Sequence, residues 1–148
     1  MKQTVKPQKI TFNELITKIP FKEICEFAPE AVVGIERGGA ILGAIVASRL
    51  DIGMVSILAS LYDDKKPANR LYTKPIIRIT NSLNHLVGKR VLLVDDVANT
   101  GKTLATAKGV LSDKVKSKEI KTFVYAGKAD FSCMKFNNCL RFFWEQQK

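Results

Sequence analysis

A chain of 148 residues, 46% hydrophobic and 26% charged, has the size and composition of one globular domain, which excludes a disordered or fibrous class. No apolar run reaches the roughly 20 residues needed to cross a bilayer, and the N-terminus lacks the apolar core of a secretory signal, so neither a membrane partner nor export is expected. The net charge of +10 suits a basic surface that draws in a small polyanion; the basic residues are scattered and no nucleic-acid motif is present, so nucleic acid is not expected as the main partner.

Residues 1–10 read as a loose polar arm. Thr11 with Glu14 forms a capping-box pattern that opens a short helix to about Lys18, and Ile19-Pro20 breaks it because a residue before proline avoids the helical region. Phe21, Ile24, Cys25 and Phe27 then fall on one side of a second helical piece that Pro29 ends, so Cys25 reads as a core residue rather than a nucleophile. Residues 31–35 read as a buried strand. Glu36-Arg37-Gly38-Gly39 follows as a glycine turn, and then a helix over 40–50 with Ile41, Leu42, Ile45, Val46 and Leu50 on its apolar face. Residues 54–58 predict another strand. Residues 59–75 are long, polar and basic, and loops of this kind in compact domains are often active-site lids. Residues 75–80 make a return strand and 81–89 a turn region, with His85 on the surface. The three cysteines lack metal-ligand spacing and His85 is the single histidine, so a zinc site is not expected and a reducing, cytoplasmic setting is.

The stretch 91–103 carries the most information. Val91-Leu92-Leu93-Val94 predicts a short buried strand, Asp95 and Asp96 stand where it ends, and Val97-Ala98-Asn99-Thr100-Gly101-Lys102 leads into a helix near Thr103. At the carboxyl end of a strand in an open α/β sheet, loop N–H groups and a helix start would face an anion. Paired carboxylates beside such a cradle can accept hydrogen bonds from sugar hydroxyls or help hold a divalent cation. The rival is a nucleotide-binding Walker A loop, since Gly101-Lys102-Thr103 is present. That loop needs a glycine where this chain has Asp96, whose carboxylate would repel the phosphates. A helix over 103–110 follows, with Leu104, Ala107 and Leu111 toward the sheet, then a charged connector over 112–119 and a further parallel strand over 120–125. Residues 126–148 show no helical period and hold Phe131, Phe136, Phe142, Phe143 and Trp144.

Residues 91–103 resemble the phosphoribosyl pyrophosphate (PRPP) motif of the type I phosphoribosyltransferases: four apolar residues, two acidic residues and a loop ending in Thr-Gly. Arg37-Gly38-Gly39 is similar to that family's pyrophosphate-binding loop, where the peptide can be cis and present an N–H to the ligand. Chain length, the strand Lys74-Pro75-Ile76-Ile77-Arg78 and the aromatic C-terminus look most like the small microbial 6-oxopurine members, which use hypoxanthine, guanine or xanthine. The resemblance implies an α/β fold, a doubly wound and mainly parallel sheet flanked by helices, with 1–148 as one domain, a flexible loop at 59–75 that closes over PRPP, and a small hood at 126–148 that grips the base. It implies transfer of phosphoribose to a nucleobase with Mg²⁺ and release of pyrophosphate, in purine salvage, by a homodimer or homotetramer. Asp95 and Asp96 would hold the ribose hydroxyls, with Asp96 on the metal. Val97, Ala98, Asn99, Thr100, Gly101, Lys102 and Thr103 would bind the 5′-phosphate; Arg37, Gly38, Arg70 and Lys74 would take the pyrophosphate. Lys128 would donate to the purine O6, and Phe142 or Trp144 would cover the base, although Cys139 lies nearest the usual aromatic position. One departure stands out. The 6-oxopurine members place a proton-exchanging Asp before Thr-Gly, and this chain has Asn99, whose amide can hydrogen-bond but cannot act as a general base. That leaves open a transferase for another base, or a nucleotide-sensing or RNA-binding regulator of the same fold.

Overall fold

In the computed structural model, which describes residues 6–60 and 75–145, the elements run β1 (Gln8–Ile10), α1 (Phe12–Lys18), α2 (Phe21–Phe27), β2 (Ala31–Glu36), α3 (Gly38–Leu50), β3 (Gly53–Ser60), β4 (Ile76–Arg78), a 3₁₀ turn (Asn84–Leu86), β5 (Arg90–Ala98), α4 (Lys102–Lys114), β6 (Glu119–Gly127), β7 (Phe131–Met134) and β8 (Leu140–Phe142). Strands with apolar residues on both faces must be covered on both. Ala31, Val33 and Ile35 of β2 and Val91 and Leu93 of β5 pack with Leu104, Ala107 and Leu111 of α4. Their neighbours Val32, Leu92 and Val94 pack with Leu15, Ile24, Leu42 and Val46 of α1, α2 and α3. The result is a six-stranded sheet of order β4-β3-β2-β5-β6-β7, parallel except for β4, with helices on both faces. The path runs outward from β2 through β3 to β4, then returns to the other side of β2 as β5. The winding therefore reverses between β2 and β5, and such a reversal opens a crevice at the strands' carboxyl ends.

Local chemistry sets the element ends. The Thr11 hydroxyl accepts the Glu14 N–H at 3.2 Å and caps α1, and α2 stops at Ala28, which takes φ +52°. Helix α3 lies unusually close to the sheet. A Cβ on Gly34 would come 2.6 Å from the Ala40 Cα, and one on Gly39 would reach 2.7 Å from the Asp95 Cα. This explains why Gly39, Gly43 and Ala47 are buried in α3 together with Leu42 and Val46, whereas Ile41, Ile45 and Leu50 of the expected apolar face are half-buried.

Several expectations are corrected. Residues 8–10 are not a loose arm: β1 pairs in parallel with β8, and Ile10 is buried. Cys25 is exposed, because α2 turns only Ile24 and Phe27 fully inward. The two carboxylates sit within β5, which runs four residues past Val94 to Ala98 because β6 continues to pair with it. Helix α4 extends to Lys114, into the expected connector. The 126–148 segment is divided: β7 joins the main sheet in parallel beside β6, and only β8 lies in the two-stranded sheet with β1. The Asp130 carboxylate accepts the Thr122 N–H at 2.8 Å and holds that short return in place. Most of 59–75 lies outside the described residues.

Candidate active site

Two turns leave the sheet side by side. Strands β2 and β5 pair as far as Gly34↔Val94, and beyond that point one chain turns into α3 and the other carries Asp95 and Asp96. The Glu36–Arg37 peptide is cis. The Arg37 carbonyl accepts the Ala40 and Ile41 N–H groups at 3.1 and 3.2 Å, and the N–H groups of Gly38 and Gly39 have no acceptor one turn back in the helix. A Cβ at Gly38 would collide with the Asp96 carboxylate, so a glycine here leaves that carboxylate its place.

The cleft has a volume of about 560 Å³ and is lined by Glu36, Arg37, Gly38 and Ile41 from the first turn, Asp95 and Asp96 from β5, and Arg141, Trp144 and Glu145 from the C-terminal segment. The Asp96 N–H donates to Asp95 Oδ1 and the Val97 N–H to Asp96 Oδ1, both at 2.8 Å, which fixes the pair. Burial, and then the charge of Asp96 beside it, pushes the Asp95 carboxyl up to about 8. Burial also raises Asp96, and the Glu145 carboxylate adds to that. A pair held this way binds a proton or a cation readily, and its oxygens suit a hard cation. Among the described residues no three His, Cys, Asp or Glu side chains come together as metal ligands, so a Mg²⁺ ion here would complete its shell from substrate oxygens and water, a common arrangement for that ion.

The second half of the motif turns into the start of α4 beside the cleft. Gly101 takes φ +79° and starts α4, its carbonyl accepts the Ala105 N–H at 2.9 Å, and the Thr100 hydroxyl accepts the Lys102 N–H at 3.4 Å. Of the first-turn N–H groups, that of Lys102 is taken by Thr100, and those of Thr103 and Leu104 have no acceptor one turn back in the helix. The N–H of Val97 is already taken by Asp96, so that residue adds no backbone donor.

Ala98 pairs with Gly127, so the next residues, Asn99 and Lys128, emerge side by side at the ends of β5 and β6. Both are exposed, and neither lines the cleft. Gly127 allows the approach, since a Cβ there would strike the Ala98 carbonyl. Of the two expected base-covering rings, Trp144 lines the cleft. Phe142 does not: it is 2% exposed, packed against Tyr125 and stacked under Trp144 with ring centroids 4.5 Å apart. Phe142 therefore supports Trp144. Arg70 and Lys74 lie outside the described residues. Sequence reasoning missed Glu36, Ile41, Arg141 and Glu145. Glu36 and Ile41 flank the Arg-Gly-Gly turn and were within reach of that signal. Arg141 and Glu145 arrive only through the pairing of β8 with β1, which no local pattern announces.

The phosphoribosyl transferase domain family matches residues 7–143. The chain is 33% identical over 96 residues to a protein of Syntrophobacter fumaroxidans called bifunctional protein PyrR, covering 61% of this chain and 50% of that one. It is 30% identical over 103 residues to the transcriptional regulator GfcR of Methanococcus maripaludis, covering 67% and 48%. The matches span about half the length of these curated relatives. Among solved structures, a purine phosphoribosyltransferase of Pyrococcus horikoshii superimposes with TM-score 0.79 at 26% identity over 97% of each chain. The xanthine-guanine-hypoxanthine phosphoribosyltransferase of Helicobacter pylori does so with TM-score 0.76 at 21% identity over 93% and 94%, a likeness of fold.

Proposed function

Because the chain belongs to the phosphoribosyl transferase domain family, we propose that it moves the phosphoribosyl group of PRPP to a ring nitrogen of a nucleobase, a 6-oxopurine such as hypoxanthine, guanine or xanthine, and releases pyrophosphate. One observation carries this reading: two turns that lead into helix starts open at the carboxyl ends of the neighbouring strands β2 and β5, on either side of an acidic pair. PRPP has the matching form, a sugar with a phosphate at one end and a diphosphate at the other.

In this reading the start of α4 and Thr100 bind the 5′-phosphate, Asp95 and Asp96 take the ribose hydroxyls, and Arg37 and the Gly38 turn hold the diphosphate. Mg²⁺, held by Asp96 and substrate oxygens, would neutralise the departing diphosphate. The sugar carbon becomes cation-like as the leaving group departs, and the neighbouring carboxylates stabilise that charge. Trp144 covers the base. Lys128 donates to its carbonyl, and Asn99 beside it orients the ring through a hydrogen bond without accepting its proton. Arg70 and Lys74 belong to the same proposal as reaching the diphosphate from the 59–75 segment, and a homodimer or homotetramer working in purine salvage in the cytoplasm completes it.

A pyrophosphate-release assay with PRPP, Mg²⁺ and a panel of free bases tests this. Turnover with hypoxanthine, guanine or xanthine supports it; turnover with another base alone moves the acceptor. A second reading has its own support. The curated relatives include a transcriptional regulator, and at the opposite edge of the sheet the 87–90 and 116–118 segments hydrogen-bond together, placing Lys89, Lys116 and Lys118 on one basic rim. No turnover with any base, together with RNA binding that weakens steeply with salt, would favour a nucleotide-sensing regulator.

A further inference from the structure

Among the described residues, the cleft wall is more acidic than the chain as a whole. The chain carries 24 Lys and Arg against 14 Asp and Glu, whereas the described wall holds the carboxyl groups of Glu36, Asp95, Asp96 and Glu145 and two guanidinium groups, those of Arg37 and Arg141. A polyanion entering such a cleft is repelled unless the few cations there are free to meet it. They are free. Among the described residues the ion pairs are Lys18–Glu14 and Arg90–Glu30, both outside the cleft, and neither the Arg37 nor the Arg141 side chain pairs with a carboxylate or donates a hydrogen bond. A guanidinium with four carboxylates in its own cleft and no bond to any of them keeps its donors for a ligand.

The two cations come from different walls. Arg37 stands just before α3, at the winding reversal. Arg141 is the middle residue of β8, between half-buried Leu140 and buried Phe142, so the strand that anchors those neighbours presents Arg141 outward. We propose that Arg141 is a further diphosphate-binding residue, which grips the leaving-group end of the substrate from the hood while Arg37 grips it from the sheet. Arginine suits this role because its planar fork meets two phosphate oxygens at once. The 5′-phosphate cradle at α4 lies elsewhere, and neither Thr100 nor Thr103 lines this cleft. The inference rests on the transferase reading and adds to it a role for the hood: it closes on the sugar donor as well as on the base.

Calorimetric titration of the full chain in Mg²⁺ buffer with PRPP, inorganic pyrophosphate and ribose 5-phosphate tests it. Ribose 5-phosphate keeps the sugar and the monophosphate and lacks the diphosphate. Arg141→Gln is expected to weaken PRPP and pyrophosphate by about 10- to 100-fold, the worth of a charge-assisted hydrogen bond, and to leave ribose 5-phosphate unchanged. Arg141→Lys, which keeps the charge and loses the fork, is expected to fall between and guards against a folding effect. PRPP affinity unaltered in both variants, equal loss of ribose 5-phosphate, or a change confined to the KM of the base would each overturn the role. A wild-type chain that binds neither PRPP nor ribose 5-phosphate would instead remove the transferase reading beneath it.

Discussion

Asp95 carries the clearest electrostatic signature in the molecule. Burial and the adjacent Asp96 raise its carboxyl from the ordinary 3.8 to about 8, so the folded protein holds this proton more tightly than the unfolded chain does. The sign follows: the contribution to stability is complete below about pH 4 and is lost as pH rises through about 8. Thermal midpoints of the ligand-free protein, measured across that window, are expected to carry a downward component that Asp95→Asn flattens; parallel curves for the two proteins would contradict it. Asn99 supports a second expectation. A positioned general base is typically worth about 10²- to 10⁴-fold, so Asn99→Asp is expected to raise turnover of a 6-oxopurine by up to about 10²-fold in steady-state assays. An unchanged rate would mean that the ring proton leaves by another group.

The junction of β2 with α3 is the element on which the site depends, and two neighbouring glycines there have separable roles. A Cβ on Gly38 meets the Asp96 side chain, whereas one on Gly39 meets the backbone of Val94 and Asp95. A side chain can swing away and a central strand cannot. Gly39→Ala is therefore expected to cost about 1–3 kcal/mol in a denaturant melt, as overpacking does. Gly38→Ala is expected to melt close to wild type while losing PRPP affinity, because the displaced carboxylate is the one assigned to the ribose. Equal melting of the two variants would show that α3 shifts freely on the sheet.

At the scale of the whole molecule, the cleft is closed by a strand pair drawn from both ends of the described chain. Buried Ile10 on β1 anchors β8, whose Phe142 stacks under Trp144. Trp144 is the only tryptophan, so its fluorescence reports on the hood without interference. Ile10→Ala is expected to cost about 2–5 kcal/mol and to shift Trp144 emission to the red as the stack loosens. An unshifted spectrum in a destabilised variant would mean that the hood is held by other contacts. Among the described residues no helix is long and apolar enough to cross a membrane.

The order of the central elements, the acidic pair, the glycine turn and the start of α4 were legible in the chain, because each depends on local rules: an uninterrupted apolar run, a capping pattern, a glycine where only a glycine fits. Thr11 and Glu14, or Gly101 before α4, meet their partners within a few residues. What the chain alone could not give depends on contacts distant in sequence. Arg141 and Glu145 reach the cleft because β8 pairs with β1, across more than a hundred residues. Phe142 becomes a support rather than a base-covering ring because Tyr125 and Trp144 enclose it. The parallel return of β7 through residues 128–130 runs against the usual need for a long crossover, and it is bridged by hydrogen bonds between Asp130 and Thr122 of β6, which no local pattern announces. Local pattern decided the two turns and their acidic pair; tertiary packing decided which side chains face them, since burial and pairing are properties of the assembled sheet.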